Sequence, residues 1–298
     1  MVATINNFGG FYSTELYVHE ARMHGGIIEA PCINKSYSQT IIKDKTIYLG
    51  FMFLHALEKK TIKKLIGVRE QNGLFKNLDD FIDRVPISIE QIAILIKINA
   101  FRFTGVNKRE LLWEAHLKIS KTVIQEHIVT LFKTEKINYK TPQLTSTALE
   151  NAFDEIELLG FPLCSPFHLL ENQTSSLLRV NQLLSYKNKT VTIEGYLVTT
   201  KNTGTSNGKR MFFGTFLDRD GNFIDTVHFP PVAAKFPFRG KGIYTITGKV
   251  LEDFDCINIE VSYMKRESVI EDPRYAIKSL NPTFQKKKSF KDLKLHGL

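Results

Sequence analysis

The sequence predicts a multidomain α+β protein, with a helical first half and a five-stranded β-barrel in its second half. Two patterns of apolar residues, one in each half of the chain, predict this arrangement. Apolar residues recur at helical spacing between strong helix caps in the first half, and they alternate with polar residues from Thr190 onward. At 298 residues the chain is long enough for about two domains.

Helix caps define the first half. Ser13 is placed to cap a helix that stops at Gly25, and Asn77 is placed to cap a short helix further on. Ser88 and Gln91 have the spacing of a capping box, in which each residue caps the backbone of the other. Several helices of this length predict a compact helical domain.

One predicted helix carries a basic flank. Ile62, Leu65, Ile66 and Arg69 share one face of it. The lysines share a flank by spacings of three and four, and they are Lys59, Lys60, Lys63 and Lys64. A surface that binds successive phosphates requires such an arrangement, so we expect these lysines to contact DNA, with a solvated helix face as the alternative.

Five segments of the second half have the alternation of strands. They are TVTIEGYLVT, RMFFGTFL, NFIDTVHF, GIYTITGKV and CINIEVSYM. Gly195 interrupts the first strand and predicts a bulge or a bend there. A tight turn joins the second and third strands, and a longer connection follows the third. This pattern is typical of an OB-type barrel, with an SH3-like barrel or a small sandwich as the alternative.

The composition favours an anionic partner. Lysine and arginine number 40 against 31 acidic residues, so the net charge is +9, and nucleic acid is the commonest partner of such a chain. The three isolated cysteines form no Cys-x-x-Cys pair, which fits a reduced, cytoplasmic compartment. We expect no signal peptide and no membrane partner, because no apolar run approaches the ~18 residues of a membrane span.

No catalytic centre is recognisable in the sequence. His19 and His24 are five residues apart, about 140° around a helix, so they are not placed to share a metal ion. Asp218 and Asp220 are the residues that a tight turn selects, and a two-metal site needs a further carboxylate. We therefore expect no catalytic residue, no metal and no cofactor.

The connection between the first two predicted strands is long, small-residue and basic. No acidic residue occurs from Thr199 to Leu217, and a plain hairpin needs only two residues. OB barrels bind single strands on their second and third strands through stacking aromatic residues beside basic loops. We expect a basic wall with a stacking platform, formed by Lys201, Lys209 and Arg210 with Phe212 or Phe216. This assumes that Phe212 and Phe216 face outward and Phe213 inward.

Several segments, in family order, resemble the C-terminal region of the bacterial DNA polymerase III alpha subunit. They include INNFGGFYSTELYVHEARMHGG, PCINKS, FKNLDDFIDRV, LLWEAH, DEIELLGFPL, TVTIEGYLV and DTVHFP. The resemblance implies the end of the fingers, a helix-hairpin-helix domain and an OB domain. The expected divisions are a fingers-like segment at 1–48, the helix-hairpin-helix domain at 49–120, a linker at 121–150, a connecting helix at 151–180, the OB domain at 181–267 and a basic tail at 268–298.

The resemblance also implies partners. Members of this family grip duplex and single-stranded template and engage a sliding clamp, and Leu131 with Phe132 stands where a clamp-binding peptide is expected. The catalytic palm of the family has no counterpart in these segments, so we expect the chain alone to be inactive. The hairpin at Leu54–Lys60 lacks the glycines of the family pattern. Two alternatives stay open: one half of a split polymerase that needs a palm-bearing partner chain, and a free-standing single-strand-binding protein.

Overall fold

We describe a computed structural model of the chain. The structure describes residues 1–8, 10, 12–125, 144, 146–172, 178–204, 208–253, 256–272 and 274. Within them, no helix is long and apolar enough to cross a membrane.

The first part of the chain folds into helices around a small sheet. The helices are α1 (Val2–Asn6), α2 (Thr14–Met23), α3 (Lys59–Asn72), α4 (Leu78–Arg84), α5 (Ile89–Lys97), α6 (Lys108–Gln125) and α7 (Ala148–Leu159). The strands are β1 (Ile27–Glu29), β2 (Ile41–Lys43) and β3 (Thr46–Tyr48), in the order β1-β3-β2. The turn between β2 and β3 is tight, with Asp44 in the left-handed conformation.

One apolar core joins these helices. It extends along the chain from Ile5 in α1 to Phe161 beyond α7. At its centre Phe81 lies edge-on to both Phe75 and Phe101, with ring centroids 4.9 and 5.2 Å apart. Arg69 of α3 is also buried, as its place on the apolar face of that helix predicts.

Two of the predicted caps are present, but the capping box is incomplete. Asn77 accepts a hydrogen bond from the Asp80 N–H at 2.9 Å, and Ser88 accepts one from the Gln91 N–H at 3.5 Å. The Gln91 side chain does not complete the box. Its amide spans the turn before α3 instead, accepting from the Glu58 N–H at 2.8 Å and donating to the Ala56 carbonyl at 3.0 Å.

The second part is a closed five-stranded barrel, as predicted. Its strands are β4 (Thr190–Gly204), β5 (Arg210–Leu217), β6 (Phe223–His228), β7 (Ile243–Asp253) and β8 (Cys256–Arg266), with the helix α8 (Pro230–Lys235) between β6 and β7. Their order around the barrel is β4-β5-β6-β8-β7, and it closes through the parallel pair β6–β8. This is the Greek-key arrangement of an OB-type barrel.

Glycines allow the barrel interior to close around one aromatic ring. A Cβ at Gly195 would lie 2.8 Å from the Cβ of Phe216, so only glycine fits beside that residue. The irregularity that Gly195 predicted lies a few residues later, between Leu197 and Thr199, where the pairing of β4 with β5 shifts register. Gly195 therefore serves close approach and not the bulge.

Ion pairs and hydrogen bonds at separate places attach the barrel to the helical part. Glu15 of α2 accepts a hydrogen bond from the Tyr196 hydroxyl of β4 at 2.8 Å and pairs with Lys241 before β7. Arg274, beyond β8, pairs with Asp154 at 2.5 Å and with Glu157 at 3.1 Å, both on α7. Burial and the Glu15 carboxylate raise the pKa of Tyr196, so its hydroxyl keeps its proton and remains a donor.

Candidate nucleic-acid interface

Phe213 is the exposed aromatic residue at the centre of the outer face of β5. Its side chain is 40% exposed. In the register of the sheet it lies opposite Lys201 of β4 on one side and Val227 of β6 on the other. Neighbours across a sheet on one face lie within side-chain reach. The outer face therefore has a cation, an aromatic ring and an aliphatic side chain in one row.

Phe216 does not face outward, and the expectation that it does is wrong. It is fully buried in the barrel core, stacked on Phe238 at 6.2 Å and edge-on to Tyr244 at 5.8 Å. Phe212 has the same parity along β5, so it is also on the inner side, half-buried and 6.0 Å from Phe238. The physical reason is space, because Gly195 and Gly214 leave room for the Phe216 ring on the inner side.

The three predicted basic residues do not form one wall. Lys201, Lys209 and Arg210 are all exposed. Lys201 is in the outer row beside Phe213, whereas Lys209 and Arg210 lie at the start of β5 and line an open cavity against α8. Arg210 and Phe213 have opposite parity along β5, so the barrel presents basic side chains at two positions.

Acidic side chains limit the outer face on the side of β6 and β8. Asp225 accepts a hydrogen bond from the Thr215 hydroxyl at 2.9 Å, and Glu260 of β8 lies opposite Val227. A phosphate there would meet negative charge. The basic side of the face is therefore the side of β4 and of the first residues of β5.

Helix α2 covers the other end of the outer face. Leu217 has the same parity as Phe213, yet only 8% of it is exposed, and it lines a small cavity together with Leu16 and Val18 of α2. The ring nitrogen Nε2 of His19 lies 3.0 Å from the Gly221 carbonyl in the turn between β5 and β6. The open part of the face therefore extends from Thr215 toward Arg210.

The lysines of α3 are exposed on the helical part, away from the barrel core. They are Lys59, Lys60, Lys63 and Lys64. Lys60 pairs with Glu58 at 2.9 Å, which reduces its availability to a phosphate. The turn before α3 keeps a hairpin-like backbone without glycine, because Ala56 adopts a left-handed φ of 62°.

The remaining candidates add no site in the described part of the chain. Leu131 and Phe132 lie outside the described residues. Across the described ranges, no group of three or more His, Cys, Asp and Glu side chains is arranged to hold a metal ion. Sequence reasoning missed that Phe213 faces outward. Gly214 is the signal that could have shown it, because a glycine within a strand indicates a crowded side, and residues 212, 214 and 216 share that side.

Comparisons with known proteins agree with this architecture. A family described as "Helix-hairpin-helix motif" matches residues 25–111. The error-prone DNA polymerase of Mycobacterium bovis is 33% identical over 108 residues, which cover 36% of this chain and 10% of that protein. The DNA polymerase III subunit alpha of Staphylococcus aureus is 26% identical over 257 residues, which cover 82% of this chain and 23% of that protein.

Among solved structures, the second OB-fold domain of replication protein A from Methanococcus maripaludis is similar to part of the chain. The identity is 19%, the match covers 28% of this chain and 91% of that one, and the TM-score is 0.21. The chain spans between a tenth and a quarter of the length of the polymerases it matches. The chain is thus similar to bacterial error-prone DNA polymerases and DNA polymerase III alpha subunits, and it has a helix-hairpin-helix region followed by an OB-type barrel.

Proposed function

We propose that the chain is a DNA-binding module of a DNA polymerase III alpha-type polymerase, which holds duplex and single-stranded template during replication. The helical domain would contact duplex and the barrel would contact the single strand. The proposed module supplies binding and not nucleotidyl transfer. Its similarity to alpha subunits over 82% of the chain supports the assignment to replication.

The outer row of Lys201 and Phe213 carries the single-strand part of the proposal. A single strand is bound without sequence preference by aromatic rings that stack on bases and by cations that contact the backbone. Phe213 offers an exposed ring and Lys201, directly across the sheet, offers a cation. Phe213 is on the second strand of the barrel, whose outer face OB barrels use for oligonucleotides, and Lys201 is next to it on the first strand.

The lysines of α3 carry the duplex part. Lys63 and Lys64 are exposed near the middle of the helix, one turn beyond Lys59 and Lys60. Cations at this spacing suit successive phosphates of a backbone. The amide of Gln91 already occupies two backbone groups of the preceding hairpin, so the lysine side chains, more than the hairpin backbone, would make these contacts.

A titration of fluorescent oligonucleotides at several salt concentrations tests both parts. We expect Phe213→Ser to weaken oligo(dT) binding about 5-fold or more with the salt slope unchanged, because stacking is uncharged. Lys201→Ala should weaken binding and flatten the log–log salt slope by about 0.7. Lys63→Ala with Lys64→Ala should weaken duplex binding only.

Matched controls are available on the same molecule. Lys249 is exposed on β7 across the barrel, and Phe103 is 38% exposed on the helical part. Lys249→Ala and Phe103→Ser should leave oligo(dT) binding unchanged. If Phe213→Ser and Lys201→Ala both bind oligo(dT) like the parent chain, or the parent binds none, the barrel face is not the single-strand site.

A second candidate function is one half of a split polymerase. The similarity to an alpha subunit over 82% of this chain, which includes the helical part as well as the barrel, favours a polymerase role over a free-standing single-strand-binding protein. A pull-down with an alpha-subunit fragment that contains the palm separates the two. Stoichiometric capture that restores primer extension would support the split enzyme, whereas DNA binding without capture would support the free-standing protein. Sliding-clamp binding through Leu131 and Phe132 remains part of the main proposal.

A further inference from the structure

The start of β5 and the helix α8 line an open cavity of about 540 Å³. Its lining residues are Lys209, Arg210, Phe212, Pro230, Pro231, Ala233 and Ala234. The walls are a phenylalanine ring, two proline rings and two alanine methyl groups, and the rim carries two cations. A volume of this size is within the range of small-molecule sites, which combine apolar walls with a few placed polar groups.

We propose that this cavity, the barrel mouth, binds one nucleotide, with the base against Phe212 and the prolines and the phosphate at Arg210. The inference rests on the proposed single-strand function and specifies where the strand ends its path. Stacking of a base on an aromatic ring and pairing of a phosphate with a guanidinium are the two interactions that the mouth offers together.

Charge favours a nucleotide over an acid-binding or cation-binding role. Among the described lining residues there are two cations and no carboxylate, whereas the outer face on the side of β8 carries Glu260. A phosphate near Phe213 is therefore repelled by Glu260 on the side of β8 and attracted by Arg210 at the cavity. An acidic peptide shares the negative charge, but every nucleotide also joins its phosphate to a planar base that can lie against the apolar walls.

Continuity with the outer row supports the same occupant. Phe213 and Arg210 are three residues apart on one strand, about 10 Å at strand rise. Period two turns Phe213 outward and Arg210 inward, so a backbone that passes over the outer row turns around the edge of the barrel at Arg210. The base that follows the turn faces the mouth.

A mononucleotide tests the mouth without relying on strand binding. We expect thymidine 5′-monophosphate to shift the ¹³C-methyl signals of Ala233 and Ala234 in a saturable way, and Arg210→Ala to weaken that binding. Ala93, in α5, provides an internal control whose signal should stay in place. Absence of any shift at Ala233 and Ala234 would overturn the proposal.

A series of oligonucleotides of different length tests whether a bound strand extends from the outer face into the barrel mouth. Ala234 is exposed, so Ala234→Trp should fill the mouth without disturbing the core, and Lys235→Trp adds the same ring to α8 at a residue that does not line the cavity. We expect Ala234→Trp to weaken binding of long oligo(dT) about 5-fold or more and to leave binding of short oligo(dT) unaffected. Lys235→Trp should weaken binding only as much as Lys235→Ala, which removes the same charge without adding a ring.

The two proposals fail differently. Long oligo(dT) that binds Ala234→Trp like the parent, with Phe213→Ser still weakened, would refute the mouth and leave the outer face standing. Saturable mononucleotide binding in a chain that binds no oligo(dT) would support the mouth and refute the proposed single-strand function. Thermal unfolding of each variant, matched to the parent, shows that the loss is local.

Discussion

The histidine inside the barrel predicts a specific loss of stability in acid. His228, at the end of β6, is fully buried, with its ring 4.6 Å from that of Phe238. The Thr226 hydroxyl donates its proton to the Gly214 carbonyl at 2.8 Å, so at its 2.9 Å contact with His228 Nε2 it acts as the acceptor. His228 therefore carries its proton on Nε2, and Nδ1 is buried without a partner in the described part of the structure.

Burial lowers the pKa of His228 from 6.5 to about 4. The unfolded chain thus binds a proton at a pH where the folded barrel does not, and folding loses free energy as the pH falls through this window. Above about pH 6.5 the burial of His228 does not reduce the free energy of unfolding. Relative to that range, the free energy of unfolding is lower by about 2 kcal/mol at pH 5 and by about 3 kcal/mol at pH 4, and it falls little further in stronger acid.

Urea unfolding followed by circular dichroism, at pH 7.5, 5 and 4, measures this loss. The His228→Leu variant is the reference, because it removes the titrating ring while other groups, such as the half-buried Glu155 with its raised pKa, titrate in both proteins. We expect the parent to lose about 2 kcal/mol more than the variant between pH 7.5 and pH 5. Parallel pH profiles for the two proteins would refute the reasoning, since they would mean that His228 protonates equally in the folded and unfolded chain.

Three further predictions concern the helical part and the activity of the chain. Ala56→Gly should stabilise the protein by about 0.5 to 1 kcal/mol in thermal unfolding, because glycine relieves the left-handed backbone at that turn, whereas Ala93→Gly inside α5 should destabilise it by about 1 kcal/mol. Leu131→Ala with Phe132→Ala should weaken sliding-clamp binding by about 2 kcal/mol in a titration, and an unchanged affinity removes that peptide as the contact. The purified chain alone should not extend a primer, because the sequence offers no carboxylate trio for two metal ions, and extension above contamination controls would contradict this.

The sequence predicted the order of the helices and strands because local signals in the chain specify each of them. Caps at Asn77 and Ser88, the buried face of α3, and the alternation of five strands all depend on neighbours in the chain. These signals specify which residues share a face. They predict both the helical region and the closed barrel that follows it.

The inner and outer faces of β5 could not be assigned by periodicity alone. Period two separates Phe212 and Phe216 from Phe213, but both sets contain aromatic residues, so hydrophobicity does not decide between them. The decision is made by Gly195 on β4 and by Gly214, whose missing side chains leave the space that the Phe216 ring fills. That space is a property of two strands together.

Contacts between distant segments were also beyond the reach of the sequence. Helix α2 covers Leu217 of β5, nearly 200 residues further along the chain, and so shortens the open face. The Gln91 side chain caps a turn more than thirty residues before it and not its own helix. Each contact depends on how two elements meet in space, which local pattern does not encode.

The attachment of the barrel at separate places affects how it can move relative to the helical part. A domain held by a single connection swivels about it, whereas a domain held at two separated points resists twisting about either one. Glu15 of α2 contacts β4 and the segment before β7, and Arg274, beyond β8, pairs with Asp154 of α7. A force that a bound strand exerts on the barrel is therefore passed to α2 and to α7 through these separate contacts.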